Sequence, residues 1–224
     1  MAQRKMNWFA VWISAGVVVA LVLVAVLVVT MNNAQSGPGT APEASNINAE
    51  TGAIAVGDGS NDLATYIDFM CPICGDFEEI YGPTIEGLVD DGSITLNIHP
   101  ISILDRASQG TKFSTRAANA MYCVAVADAD ASLPFMTAMF DNQPEEGTSG
   151  LSDEQILAIA AASGVTGIDS CVNDGTYSKY VTSITESTPV QPGAAGIGTP
   201  TVLLNDEFVQ LTGDPELDLV DALQ

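Results

Sequence analysis

Hydrophobic and polar positions change their rhythm several times along this chain, and each rhythm predicts an element. From Phe9 to Met31 there is no charge, and Val, Ala and Leu dominate. About 23 residues at ~1.5 Å rise span roughly 35 Å, more than a hydrocarbon core of about 30 Å, so the run predicts one transmembrane helix over 9–31. Residues 32–50 are rich in Asn, Ala, Gly, Ser, Thr and Pro with little to bury, which predicts a flexible linker. The remainder, 51–224, has the size of a single core.

Within that domain, Ala53-Ile54-Ala55-Val56 reads as an edge strand closed by Gly57-Asp58-Gly59-Ser60. Leu63 to Phe69 predicts a more buried strand. Phe77, Ile80 and Tyr81 recur at helical spacing, with Pro83 expected to kink or break the helix. Ser93 to Ile98 alternates as a third strand, closed by His99-Pro100. The order strand, strand, helix, strand belongs to a mixed α/β sheet.

From about 111 to 187 the pattern turns helical. Ala117, Ala118, Met121, Tyr122 and Ala125 form one stripe, and Phe135, Met136, Met139 and Phe140 another. Ser152-Asp153-Glu154-Gln155 predicts a capping box opening a third helix, and a fourth is expected over Tyr177 to Glu186. Thr201–Leu204 and Phe208–Leu211 flank Asn205-Asp206-Glu207 as a hairpin. Asp214-Pro215 opens a last short helix with Leu217, Leu219, Val220 and Leu223 as its apolar side.

Charge orients and limits this picture. Arg4 and Lys5 precede the apolar run and no basic residue follows until Arg106, so residues 1–8 are expected in the cytoplasm and the domain outside it. A cleaved signal peptide is the competing reading, but its apolar core would span about 7–15 residues and Asn32-Asn33-Ala34 is a poor cleavage site. The formal charge of −22 argues against nucleic acid and anionic lipid as partners, and the scattered acids read as a solvated surface.

The four cysteines carry the candidate chemistry. Cys71-Pro72-Ile73-Cys74 follows a strand directly, which puts the first sulfur at a helix N-terminus where free backbone N–H groups favour the thiolate. Cys123 and Cys171 are left as partners for a structural disulfide, which an exported domain permits. No metal is expected, since a closed zinc site needs four ligands and the chain offers one His and no second cysteine pair. No Gly-x-Ser-x-Gly turn is present, and His99 reads as a strand-end residue rather than a hydrolase base.

The Asp68-Phe69-Met70-Cys71-Pro72-Ile73-Cys74 segment, His99-Pro100, the helical insertion over about 111–187 and Gly198-Thr199-Pro200-Thr201 together resemble a DsbA-like thioredoxin-fold oxidoreductase. The resemblance implies a thioredoxin fold with an inserted helical subdomain, Cys71 as nucleophile, Cys74 as buried resolving thiol, and a cis-proline at Pro200. Pro72, Ile73 and Thr199 are expected to support the pair, with no cofactor. With the apolar run over 9–31 and the oxidising compartment, the expected protein is a membrane-anchored, extracytoplasmic enzyme that donates disulfides to reduced or unfolded exported proteins, with a membrane redox partner as one route for recycling the pair. An isomerase or reductase, or a non-catalytic binding protein on the same fold, are the alternatives.

Two positions depart from the relatives. Six residues before the first cysteine, where a buried acid often accepts the proton, stands Thr65; Asp68 is nearer but is expected to face solvent, and the role is left open. Ile73 replaces the His of strongly oxidising relatives. It brings neither donor nor charge to the thiolate, which predicts a less oxidising pair.

Overall fold

The computed structural model describes residues 12, 16–26 and 37–223. Residues 16–26 are helical and belong to a unit that ends at Gly37; a second unit begins at Pro38. Among the described residues no helix is long and apolar enough to cross a membrane. Residues 1–8, both ends of the 9–31 run and residues 32–36 lie outside the described residues.

Residues 38–50 differ from the expected linker, because they are folded onto the domain. Ile47 is buried and pairs with Ile54, the Asn46 side chain donates to the Ala125 carbonyl, and the Tyr180 hydroxyl donates to the Ala49 carbonyl. One isoleucine and backbone acceptors suffice to hold a segment whose composition carries no apolar period.

The sheet contains β1 (Ile54–Val56), β2 (Asn61–Ile67), β3 (Ile94–Pro100), β4 (Thr201–Leu204) and β5 (Glu207–Phe208), in the spatial order β1-β3-β2-β4-β5. Only β2 and β3 run parallel. The register aligns Ile54 with Ile98, Leu63 with both Leu96 and Leu204, and Thr65 with both Ile98 and Val202. Directly paired residues share a face of a pleated sheet, so these side chains make one apolar layer. Phe77, Tyr81, Ile85 and Leu88 of α1 (Pro72–Asp90) join the same core cluster.

The helix α1 continues through Pro83 instead of breaking there. The carbonyl that Pro83 leaves unbonded belongs to Glu79; both residues are exposed, so water can satisfy it. The buried face follows 74, 77, 78, 81, 85 and 88, and Ile80, assigned to that face from its spacing, is 46% exposed. Midway along, α1 is pinned to the C-terminal segment, where Tyr81 donates to Asp218 and Asp218 accepts from both the backbone and the hydroxyl of Thr212.

The insertion consists of α2 (Phe113–Ala127), α3 (Ser132–Asp141), α4 (Asp153–Ala162), α5 (Asp169–Asn173) and α6 (Ser178–Thr185). Ser152 and Gln155 form the capping box on α4. The short α5 has no period of its own in sequence; it carries Cys171 into a disulfide with Cys123 of α2. The hairpin turn is shorter than expected: Asn205 and Asp206 both have positive φ, the two-residue turn that suits a twisted hairpin, and β5 stops at Phe208. The last turns run Glu216–Val220 and Asp221–Leu223, burying Leu219 but leaving Leu217 exposed.

Replacing Cys123 and Cys171 together by Ala removes a cross-link over 48 residues. The chain-entropy effect of such a loop is about 4 kcal/mol at most, so a loss of roughly 2–4 kcal/mol in unfolding free energy is expected by urea denaturation. No loss would contradict a structural role for the bridge.

Candidate active site

Strand β2 ends at Ile67, two residues before the Phe69 anticipated from hydropathy, because Asp68 diverts the chain. Its Oδ1 accepts the Met70 N–H at 2.9 Å and its main-chain carbonyl accepts the Cys71 N–H at 2.9 Å, a local turn that competes with the ladder. Cys71 then sits at the N-cap of α1 with Pro72 in the first turn, where a missing N–H costs nothing. No side chain caps this end and no acid lies in the first turn, so the free N–H groups are left to the Cys71 sulfur.

Cys71 and Cys74 are both unbridged, and both are buried. Cys74 is sealed completely while Cys71 keeps 4% of its surface; exchange chemistry asks for a more open first thiol than this. Ile73 between them is 63% exposed and Pro72 is exposed as well, so the approach to Cys71 is apolar.

The opposite wall is Thr199, preceding Pro200 through a cis peptide bond. Its carbonyl lies 3.5 Å from Cys71 Sγ and its hydroxyl oxygen 3.0 Å from Cys74 Sγ. That hydroxyl donates to the Tyr66 carbonyl at 3.0 Å. A hydroxyl has one proton to give, so toward Cys74 it can only accept, and Cys74 must supply the proton. The Thr199 hydroxyl therefore favours Cys74 as the thiol, while the Thr199 carbonyl, which also only accepts, takes the Cys71 S–H when that sulfur is protonated and opposes its ionisation. Burial pushes the Cys74 thiol further up, whereas Cys71 is lowered, first by the Cys74 thiol and then by the backbone N–H groups of Cys74 and Ile73.

Three further residues bear on the pair, and only some left a signal in sequence. Gln143, after α3, donates through Nε2 to the carbonyls of Phe69 (3.1 Å) and Cys71 (2.8 Å). A Cβ at position 75 would collide with Gln143 Oε1, so Gly75 makes the reach possible; nothing local in sequence announces this. Asp68 is fully buried rather than solvent-facing, and its pKa is raised by that burial to about 6. Thr65 is buried with its hydroxyl unpartnered, so no acid occupies that place in β2.

His99 is buried and stacks on Tyr66 with ring centroids 4.1 Å apart. Its Nδ1 lies 3.2 Å from the Thr51 carbonyl, which can only accept, so Nδ1 carries the proton. Burial drives its pKa down to about 4, leaving a neutral ring that serves packing. The acids are also less scattered than their spacing suggests. Asp76, Glu78, Glu79, Glu86 and Asp141 line a cleft of about 730 Å³ between α1 and α3 that reaches Pro72.

A family model described as Thioredoxin matches residues 51–221. Among solved structures, the chain is similar to reduced DsbA from Mycobacterium tuberculosis, with TM-score 0.67 and 31% identity over 76% of this chain and 90% of that one. The reduced disulfide bond oxidoreductase DsbG from the same organism matches with TM-score 0.66 and 31% identity, over 85% of this chain and 89% of that one. Serine/threonine-protein kinase PknE of M. tuberculosis is 33% identical over 155 residues, 64% of this chain. The match spans only 27% of that kinase's length.

Two buried ionisable groups, Asp68 in the turn before the pair and His99 on β3, generate opposite pH effects. Asp68 is raised from 3.8 to about 6, so its contribution to stability is complete below about 4 and is lost as pH rises through 6. His99 is lowered from 6.5 to about 4, so its contribution is present above 6.5 and is lost as pH falls through 4. Each amounts to something on the order of 3 kcal/mol, and the two nearly cancel across one window. Relative to wild type, His99→Gln is expected to gain stability between pH 7 and 4, and Asp68→Asn to lose it. Urea midpoints that fall in parallel for all three proteins would contradict both assignments.

Proposed function

The chain belongs to the thioredoxin family, and from that premise we propose that it is a thiol–disulfide oxidoreductase of the DsbA type, working through Cys71 and Cys74. The observation that supports this reading is the asymmetry of the pair: Cys71 stands at a helix N-terminus with a lowered pKa, and Cys74 is sealed from solvent with its pKa raised by that burial, beside a Thr199 hydroxyl that can only accept from it. Thiolate attack needs that division, because only the ionised sulfur is nucleophilic and only a sulfur of lowered pKa leaves readily.

In the donating direction the Cys71–Cys74 bond is the oxidant. A client thiolate attacks Cys71 Sγ, forming a client–Cys71 bond and releasing Cys74 as a thiolate that takes up a proton. A second client thiolate then attacks the client sulfur of that mixed disulfide; the client disulfide forms and Cys71 leaves as the thiolate. Two electrons pass from client to enzyme. Pro72 and the exposed Ile73 offer the client an apolar contact, and the Thr199 carbonyl beside Cys71 offers its backbone an acceptor.

The proposed clients are reduced or unfolded exported proteins, and the proposed recycling partner is a membrane redox protein. The unbroken apolar run over 9–31 supports an anchored enzyme with its domain outside the cytoplasm, as does the Cys123–Cys171 bridge, since disulfides persist in oxidising compartments.

Cys71→Ser is expected to abolish exchange with a reduced, unfolded test protein, and Cys74→Ser to accumulate a client–Cys71 mixed disulfide visible on a non-reducing gel. Exchange persisting in Cys71→Ser would sink the assignment. In cells, alkylation should trap the pair mostly oxidised for a donor; a mostly reduced pair would make the protein an isomerase or reductase.

Ile73→His adds a donor beside the thiolate, and should make the pair more oxidising in a glutathione titration. A fall in potential, or none, would refute the role given to Ile73.

A further inference from the structure

Among the described residues no cation lies against the Asp68 carboxylate, which is placed where the active-site turn meets the start of the helical insertion. One oxygen accepts the Met70 N–H, and the other accepts the Leu104 N–H at 2.9 Å. Leu104 precedes the turn Asp105–Ala107, and Asp105 in turn accepts the backbone and hydroxyl of Thr115 in the first turn of α2. A side chain three residues from Cys71 thus ties the turn that presents the thiol to the loop leading into the insertion, from a position that solvent does not reach.

Resting on the assignment of Cys71 and Cys74 above, we propose that Asp68 is a positioning residue for exchange: its carboxylate fixes the turn that carries Cys71, and its sealed negative charge restrains ionisation of that thiol until Asp68 is protonated. Like charges in a poorly screened site disfavour one another, and the ionisable groups facing Asp68 are Cys71 and Cys74 on α1 and Asp105 before α2. Asp105 is acidic, so none of these relieves the repulsion. The Asp68 charge opposes the Cys71 thiolate, and burial gives Asp68 itself a pKa of about 6, within reach of mild acid. Two coupled groups of this kind titrate as a pair, over a wider pH range than one proton requires.

The test is the pH dependence of Cys71 alkylation by iodoacetamide in the mildly reduced protein, located by peptide mass spectrometry. Wild type should show a rate profile broader than a one-proton curve. Asp68→Asn, which keeps an oxygen for Met70, should give a one-proton curve with a lower midpoint and react about threefold faster or more near pH 6.5, the effect of half a pK unit. A variant profile that superimposes on wild type or lies above it in midpoint overturns the proposal. Should the variant fail to fold, a one-proton wild-type profile overturns it equally. A Cys71 no more reactive at any pH than a thiol of the unfolded chain would overturn the assignment of Cys71 itself, and the proposal with it; ordinary Cys71 reactivity indifferent to Asp68 overturns the proposal alone.

Discussion

A dithiol pair works only when one sulfur surrenders its proton and its neighbour keeps one, and in the proposed pair the contact between Thr199 and the end of β2 bears on that division, beside the burial that keeps Cys74 a thiol. Thr199 donates to the end of β2 at the Tyr66 carbonyl, which leaves its oxygen only as an acceptor for the Cys74 thiol. Sheet and site are thereby joined in one contact: the strand whose end delivers Cys71 also consumes the proton that would otherwise reach Cys74. Moving Thr199 relative to Tyr66 would free that proton for Cys74 and leave burial as the main force holding Cys74 as the thiol.

The sheet order explains how residues 128 apart in sequence meet. Strand β2 lies between β3 and β4, so its C-terminal end is flanked by β3 and by the start of β4, and Tyr66 pairs with both His99 and Thr201. Thr199 and Pro200 immediately precede Thr201 and are therefore carried to the mouth of the Cys71 turn by backbone pairing. The insertion contributes from the other side through Gln143, which grips the carbonyls of the same turn. Through Gln143 the insertion reaches the candidate site as well as adding to the core.

Local sequence made the thiol pair, the strands and most helices legible, because each carries a period or a motif: Cys-x-x-Cys behind an apolar run, alternation over Ile94–Ile98, a capping box at Ser152. The distribution of burial was harder to read. Asp68 is the clearest case, since an acid beside a strand end ordinarily faces water; its burial follows from two N–H donors, one of them on Leu104, 36 residues away. Gln143 left no local trace because its partners are main-chain carbonyls far along the chain. Ile80 failed for the opposite reason: three- and four-residue spacing fits two neighbouring helix faces, and packing chose the one through Glu78 and Tyr81.

The balance of forces on Cys71 separates what makes the pair reactive from what limits it. A helix N-terminus is worth about 0.3–1 kcal/mol to a nearby negative charge, up to about 2 in partly buried geometry, and the neighbouring Cys74 thiol also favours the Cys71 anion. Against these stand the burial of Cys71 and the charge on Asp68, while Ile73 contributes nothing to the anion. The favourable contributions prevail, and the Cys71 pKa falls below its ordinary value. The ionisation of Cys71 is thus the outcome of competing effects, with the Cys74 thiol foremost among those that favour it and burial foremost among those that oppose it. In the proposed exchange reaction such a site would be tuned by single neighbours, toward a more oxidising pair by one donor at position 73 or by the loss of one charge at position 68, without altering either sulfur.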